Sequence, residues 1–297
     1  MDSRLEPAAQ RLPPNLTGAQ ETLLAVLYAR ALDAKNTTPI LNDQHAVRLV
    51  DQLDYDFSKA RIHWIKAAVI ALRAKFLDQW AAEFLQQSQH DGEPVTVLHL
   101  AAGLDTRALR LQEYCNKDRG TVRWVDIDLP DVIEVRRKLR LPEPDSKRMQ
   151  YVMAAADVTD ELWLAKLRLP RDHRTLVVFE GLSMYLQPDQ GRMLIEQLTG
   201  YFVKAGSQMA FDCWNWFPIL VQRFEPIIAS TNSRVSWAIN DPKELEAWHD
   251  GLRVTAEILP ADNPENVKLP IIMRCFCWIV SWIPGLRTSA RYVRYEW

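Results

Sequence analysis

Cysteine is scarce in this sequence. The 297 residues include only four, Cys115, Cys213, Cys275 and Cys277. Thiols this few and this scattered exclude the disulfide framework of a small secreted domain, and Cys275 and Cys277 stand too close for a usual pair of metal ligands. We therefore expect a reducing, cytoplasmic environment and no metal site.

The sequence also has no surplus of charge of either sign. Lysine and arginine number 36 and aspartate and glutamate 38, which gives a formal charge of −2. A nucleic-acid-binding protein replaces phosphate counterions with a basic surplus, so we expect no nucleic-acid partner. The hydrophobic share of 48% and the charged share of 25% are those of a globular chain.

Long uninterrupted apolar runs are missing. A membrane span needs about 20 such residues, and residues 1–14 are polar and carry prolines, unlike a secretory signal. The most apolar stretch, 269–286, is interrupted by Arg274 and ends at Pro284-Gly285. We interpret it as a buried or ligand-covering element without stable membrane insertion. Its tryptophans leave an interfacial anchor as the alternative.

Glycine is rare and tryptophan common, with 10 and 11 residues. So few glycines exclude a G-x-G-x-x-G dinucleotide loop, whereas abundant aromatic side chains suit a pocket for flat or apolar molecules.

The hydrophobic pattern predicts an α/β fold with a parallel sheet and helices on both faces, because strands and helices alternate after Pro94. Before that point, helices are predicted at about 20–34 and from 62 to 84. The fourth strand is entirely apolar, so we place it at the centre of the sheet. The predicted strands are 95–100, 121–126, 150–155, 175–179, 208–212, 252–259 and 291–296, and the helices are 130–139, 160–167 (capped by Thr159), 188–202 and 242–248.

These elements predict one domain over residues 1–297. A helical cover spans 1–90, a ligand-binding core spans 94–213, and two irregular, aromatic-rich insertions at 214–240 and 260–288 resemble lids.

Each of four successive predicted strands ends in a residue suited to a nucleoside ligand. Gly103 lies in the turn after the first strand, and Asp126 and Asp128 follow it by 23 and 25 residues, close to the offset of a ribose-binding carboxylate. Asp157 ends the third strand and Glu180 the fourth. Taken singly, Gly103 is also explained by a tight turn and each acid by a solvated or paired structural role.

Three motifs carry a resemblance to a known family. Residues 100–111 (LAAGLDTRALRL), 125–134 (VDIDLPDVIE) and 180–186 (EGLSMYL) resemble the leucine carboxyl methyltransferase family, in its polyketide O-methyltransferase branch of the tetracenomycin type. Shorter segments at 28–32, 40–43 and 53–56 are similar as well. The resemblance covers about residues 28–186, and Ala101 stands where many relatives carry glycine.

The resemblance implies a class I, Rossmann-like, S-adenosyl-L-methionine-dependent methyltransferase. It places Gly103 beside the methionine part of the cofactor, Asp128 at the ribose, and Asp157 with Val158 and Glu180 by the adenine and the adjoining pocket. Arg73 would meet the cofactor carboxylate. Its alternative is a solvated cation on a helix face, and Arg30 is a second candidate for the cofactor or for an acidic substrate.

The acceptor is expected beyond the fifth strand. We predict that Trp214, Trp216 and Phe217 form an aromatic wall there, with ordinary lid packing as the alternative, and that Tyr185 faces it. His63, His99, His173 and His249 fall in no base motif, so we assign them to the surface or to packing. A carboxylate acceptor is ionised at neutral pH and needs no general base, whereas a phenol benefits from one.

Three functions remain open from the sequence. The first is O-methylation of a small polyketide-like acid or phenol, in secondary metabolism. The second is methylation of a protein C-terminal carboxylate, and the third is cofactor binding without methyl transfer. The oligomeric state is not predicted.

Overall fold

A seven-stranded mixed sheet forms the centre of the molecule. The computed structural model describes residues 11–14, 16–115, 120–144, 147–231, 233–269 and 271–297. The strand order is β3-β2-β1-β4-β5-β7-β6, and the strands are β1 Val95–Leu100, β2 Val122–Asp128, β3 Met149–Ala155, β4 Arg174–Phe179, β5 Gln208–Trp214, β6 Arg253–Ile258 and β7 Ala290–Glu296.

The helices surround this sheet and include the predicted N-terminal pair. They are α1 Thr22–Ala34, α2 Gln44–Gln52, α3 Trp64–Asp91, α4 Arg107–Arg110, α5 Pro130–Lys138, α6 Trp163–Leu167, α7 Pro188–Tyr201, α8 Trp216–Leu220, α9 Pro226–Thr231, α10 Ile271–Ser281 and α11 Pro284–Arg287, with short 3₁₀ helices between them. The first ten residues of the predicted cover lie outside the described residues.

Alternating side chains of the buried strands pack on opposite layers. Val95 and Val97 of β1 belong to the core formed with α3, through residues such as Trp80. Leu98 and Leu100 belong to the other core, which includes Leu194 of α7. This period of two, with both faces covered, explains why β1 and β4 are apolar almost throughout.

The topology confirms the predicted α/β class and the central position of β4. Strands β3, β2, β1, β4 and β5 run parallel. The expectation of a wholly parallel sheet is wrong at one edge, because β7 pairs antiparallel with both β5 and β6. Strand order reverses between β1 and β4, and ligands of open α/β sheets bind outside the carboxyl ends at this switch point.

Three local predictions need correction. Strand β2 continues to Asp128, so Asp126 lies inside the strand. Helix α2 is absent from the predicted elements; the Asp43 carboxylate accepts the N–H of Ala46 and caps this helix. Thr159 does not cap α6, which begins at Trp163; its N–H and hydroxyl donate to Asp157 instead.

The stretch 269–286 also differs from its prediction. It forms α10 and α11, and several large side chains are exposed rather than buried: Ile271, Ile272, Trp278, Ile279, Trp282 and Ile283. Within the described residues, no helix has both the length and the apolar character required to span a bilayer.

Candidate functional site

A cavity of about 560 Å³ opens at the carboxyl ends of the parallel strands. It is lined by the turns after β1, β2, β3 and β4 and by apolar side chains of α1, α3 and α9. Nine of the eleven predicted site residues line this one cavity: Arg30, Arg73, Gly103, Asp128, Asp157, Val158, Glu180, Tyr185 and Trp214.

Gly103 and Asp128 are joined directly. Gly103 has a left-handed backbone with φ +52°, and its N–H donates to the Asp128 carboxylate at 2.6 Å. The second oxygen of Asp128 accepts the N–H of Leu129 at 2.7 Å. Burial raises the pKa of Asp128, and the two backbone N–H groups oppose that rise. The carboxylate is therefore fixed at the lip of the turn, with lone pairs left for a ligand hydroxyl.

Asp157 and Val158 form the cavity edge after β3. Asp157 is exposed and accepts the N–H and the hydroxyl of Thr159 at 2.9 and 2.7 Å. Val158 is buried beside it. This short turn places one acceptor and one apolar side chain next to each other, a combination that suits the rim of a flat base.

Glu180 is surrounded by arginines. Its carboxylate accepts from Arg30 at 2.9 Å, from Arg73 at 3.0 Å and from Arg107 at 2.8 Å. Burial alone would raise the pKa of Glu180, but the three guanidinium groups outweigh it and lower the pKa to about 2. Its contacts are thus with protein cations, and its position suits it to hold Arg30 and Arg73 in place.

Arg73 reaches from α3 to two strand ends. Its Nε donates to Glu180 and its Nη1 to Asp212, both at 3.0 Å. The side chain is only 18% exposed, so the alternative of a solvated helix-face cation is wrong. Its Nη2 makes no hydrogen bond to any residue that the structure describes. This nitrogen is free for an anionic group in the cavity.

Arg30 is almost fully enclosed. It pairs with Asp105 at 2.7 Å and with Glu180 at 2.9 Å and is 4% exposed. Asp105 also forms an ion pair with Arg110. Burial would raise the pKa of Asp105, but the surrounding guanidinium groups outweigh burial and hold this pKa well below its ordinary range. Arg30 therefore connects the cavity lining to an extended buried ion network.

Asp212 is a lining residue that sequence reasoning missed. It lies in β5, accepts the N–H of Gly181 at 2.7 Å and pairs with Arg73. Burial raises its pKa, with Arg73 opposing. The signal was available, because Asp212 ends the predicted fifth strand as Glu180 ends the fourth.

His99 and Asp126 form a second buried network. The Nδ1 of His99 lies 3.0 Å from Asp126, and its Nε2 lies 3.1 Å from Arg107. Asp126 also accepts from Trp124, Arg136 and Tyr151. With one ring nitrogen on a carboxylate and the other on a guanidinium, His99 is held as a structural link although it lines the cavity.

The acceptor end contains one of the three predicted wall residues. Trp214 ends β5 and lines the cavity, as does Tyr185. Trp216 and Phe217 do not, which corrects the expected wall. The Asn215 side chain accepts the N–H of Phe217 and starts α8, and Trp216, 52% exposed, packs edge-on against Phe217.

The sequence did not indicate four further lining residues, which are Lys66, Glu225, Ile227 and Ile228. Lys66 of α3 forms an ion pair with Glu225, which directly precedes α9. Ile227 and Ile228 of α9 add apolar surface. No sequence pattern connects residues this far apart, so the pair emerges only from the fold.

Most of the segments that form this cavity lie in a part of the sequence that matches a known protein family. Residues 23–199 match the leucine carboxyl methyltransferase family. The chain belongs to that family. The match begins in the cavity-lining part of α1 and ends within α7, so it includes the turn at Gly103 and the strand ends that carry Asp128 and Glu180.

Two named relatives of this chain align with most of its length. Tetracenomycin polyketide synthesis O-methyltransferase TcmP of Streptomyces glaucescens is 36% identical over 94% of this chain and 97% of its own. The S-adenosyl-L-methionine-dependent methyltransferase dpfgK of Gibberella zeae is 35% identical over 80% of this chain and 81% of its own.

Solved structures support the same fold. A DUF574 family protein from Streptomyces avermitilis superposes with a TM-score of 0.57 at 13% identity, over 91% of this chain and 96% of its own. A candidate methyltransferase from Thermobifida fusca superposes with a TM-score of 0.51 at 17% identity, over 90% of this chain and 93% of its own.

The chain is thus an S-adenosyl-L-methionine-dependent methyltransferase with a Rossmann-like fold. The residues in the cavity fit this cofactor. The site offers a fixed carboxylate for ribose hydroxyls, a left-handed glycine turn and a free guanidinium nitrogen for a carboxylate.

Proposed function

We propose that this chain methylates an oxygen atom of a small, aromatic, polyketide-like acceptor, with a carboxylate favoured over a phenol. One observation carries the proposal: a single cavity is lined both by polar groups at the strand ends and by apolar side chains of α1, α3 and α9. The polar groups match a nucleoside cofactor, and the apolar side chains match a flat, apolar acceptor. The relatedness to a polyketide O-methyltransferase supports the same acceptor class.

In this proposal, the predicted cofactor residues share the work. Asp128 accepts the ribose hydroxyls, and Gly103 gives the backbone close access to the methionine part. Asp157 and Val158 border the adenine, and Glu180 fixes Arg73 and Arg30. Arg73 meets the cofactor carboxylate through Nη2.

When bound, S-adenosylmethionine supplies an electrophilic methyl group on a positively charged sulfur. The positive charge disappears on transfer, so carboxylates near it stabilise the bound donor more than the transition state, and they serve affinity rather than rate. The rate then depends on alignment of nucleophile and methyl group and on exclusion of water, a contribution of about 7–11 kcal/mol.

Neither His99 nor Tyr185 is placed to act as a general base, which fits an acceptor that is already ionised. Both ring nitrogens of His99 are engaged in the buried network. Burial raises the pKa of Tyr185, so its hydroxyl stays protonated at neutral pH and acts as a donor rather than a base. A carboxylate needs no proton removed, and Tyr185 and Trp214 would position it.

Radiolabelled methyl transfer tests this function. The purified protein is incubated with methyl-tritiated S-adenosylmethionine and one of three acceptors: 1-hydroxy-2-naphthoic acid, 1-naphthol or a peptide ending in a free leucine carboxylate. The proposal expects transfer to the naphthoic acid above the naphthol. Transfer to the peptide alone would assign the chain to protein carboxyl methylation, and cofactor binding without any transfer would favour a non-methylating role. A cytoplasmic location remains a prediction.

A further inference from the structure

The cavity carries an excess of negative charge. Three cations, Arg30, Lys66 and Arg73, line it together with six carboxylates, Asp105, Asp128, Asp157, Glu180, Asp212 and Glu225. Arg107 and Arg110 offset part of this charge from behind the lining, through Glu180 and Asp105. The remaining balance suits a cationic sulfonium cofactor and leaves an anionic acceptor few free partners. An acid can enter only where one of the cations is available to it.

Two of the cations are already engaged, because Arg30 is held by the protein and the remaining Nη2 of Arg73 is assigned to the cofactor carboxylate in the proposed function. Arg30 and Arg73 each pair with two buried carboxylates, and they are 4% and 18% exposed. Lys66 differs, because Glu225 is its single partner among the described residues and both members of the pair are more exposed, at 26% and 29%. An ammonium group has three donors, so Lys66 retains capacity for another acceptor.

Lys66 also lines the cavity together with apolar residues of α3 and α9. It precedes Arg73 by seven residues on α3, two helical turns, so both side chains share a face about 10 Å apart along the axis. Val69 and Ile70 line the cavity between them. An aromatic body resting on these residues would bring an acidic substituent to Lys66.

Glu225 keeps other partners when Lys66 turns away. One oxygen pairs with Lys66, and the other accepts the N–H groups of Ile227 and Ile228 at 2.8 and 3.0 Å. These backbone donors continue to stabilise the carboxylate. Lys66 can therefore exchange one carboxylate for another at small cost, and a neutral acceptor gains nothing from the exchange.

We propose that Lys66 is the docking point for an anionic group of the acceptor and that Glu225 is the resting counter-ion it leaves. The inference rests on the proposed function and narrows its substrate class to acids. Lys66 is here a specificity residue for the acceptor, with no part in cofactor binding.

Calorimetry with two matched ligands tests this assignment. The protein, saturated with S-adenosylhomocysteine, is titrated with 1-hydroxy-2-naphthoic acid and with the neutral 1-hydroxy-2-naphthamide. Wild type should bind the acid about tenfold more tightly or better, as one charge-assisted hydrogen bond provides. Lys66→Met should lose this preference while its affinity for the amide stays within about twofold.

Glu225→Gln separates docking from a merely structural bridge. It removes the competing charge but retains an oxygen for the α9 backbone, so acid binding should strengthen, opposite in sign to Lys66→Met. A structural bridge would make both variants bind both ligands more weakly. Lys75→Met is the control, because Lys75 lies on α3 outside the cavity lining.

Failure of the Lys66 assignment and failure of the proposed function give different results. Equal binding of acid and amide by wild type, or an unchanged preference in Lys66→Met, overturns the role of Lys66. If wild type does not bind S-adenosylhomocysteine at all, the proposed function fails instead.

Discussion

The backbone N–H of Gly103 donates a 2.6 Å hydrogen bond to the carboxylate of Asp128. The turn after β1 and the end of β2 are therefore one unit, and Arg136 adds to it by donating to the carbonyl of Gly103 at 2.8 Å. Any change in this turn acts on the carboxylate that faces the cavity.

Ala101 stores backbone strain in the same turn. Its φ of +48° lies in the left-handed region, where a side chain costs about 1–2 kcal/mol. Ala101→Gly should raise the free energy of unfolding by about 0.5–1 kcal/mol, since the strain relieved exceeds the entropy that glycine loses. Urea unfolding with an unchanged m-value measures this. Gly103→Ala is the opposing control and should destabilise; a loss of stability in Ala101→Gly would refute the strain.

Arg73 should affect cofactor binding more than turnover. Arg73→Lys keeps a charge beside Glu180 and Asp212 but loses the planar fork, so we expect the KM for S-adenosylmethionine to rise about tenfold and kcat at saturation to change little. Steady-state kinetics at saturating acceptor measure both constants, and Tm checks the fold. A fall in kcat with unchanged KM would move Arg73 to the acceptor side.

Trp214 and Trp216 provide a matched pair. Trp214 lines the cavity, whereas Trp216 lies outside it. Trp214→Ala should raise the KM for an aromatic acceptor by about tenfold, in line with about 1–2 kcal/mol for one lost aromatic contact. Trp216→Ala should leave that KM unchanged. Equal effects of the two substitutions would show that the wall is not confined to Trp214.

Asp126 should make the free energy of unfolding depend on pH. Burial opposes its ionisation, but Arg136, His99 and Tyr151 lower its pKa from 3.8 to about 2. A depressed folded-state pKa contributes stability that is present above about pH 4 and is lost as the pH falls towards 2. Asp126→Asn should be less stable than wild type at pH 7, and the difference should shrink by about 2 kcal/mol towards pH 2.5. Urea unfolding across this range checks the trend; a constant difference would contradict it.

The sequence predicted the sheet well because its signals are local. Strand β4 is apolar from Leu176 to Phe179, and Pro130 marks the start of α5 at the first helical position. Helix α2 has only a short signal of its own, because it spans nine residues and Asp43, which caps it, is equally typical of a turn.

Only the part of the candidate site that is formed by the strand ends could be predicted from the sequence. Strand ends converge by topology, so Gly103, Asp128 and Glu180 could be named from their positions alone. The pairing of Lys66 with Glu225 depends on how α3 packs against the segment before α9, which no spacing encodes. The apolar stretch containing Trp278 and Trp282 suggested burial by composition, yet both side chains are exposed.

The most direct test of the account is calorimetric titration of wild type and Asp128→Ala with S-adenosylmethionine. We predict binding by wild type, and a loss of about 1–3 kcal/mol in the variant because charge-assisted hydrogen bonds to the ribose disappear. Asp128→Asn should fall between the two. Unchanged affinity in Asp128→Ala, with the fold intact by circular dichroism, would show that the cofactor does not lie at the edge formed by Gly103 and Asp128.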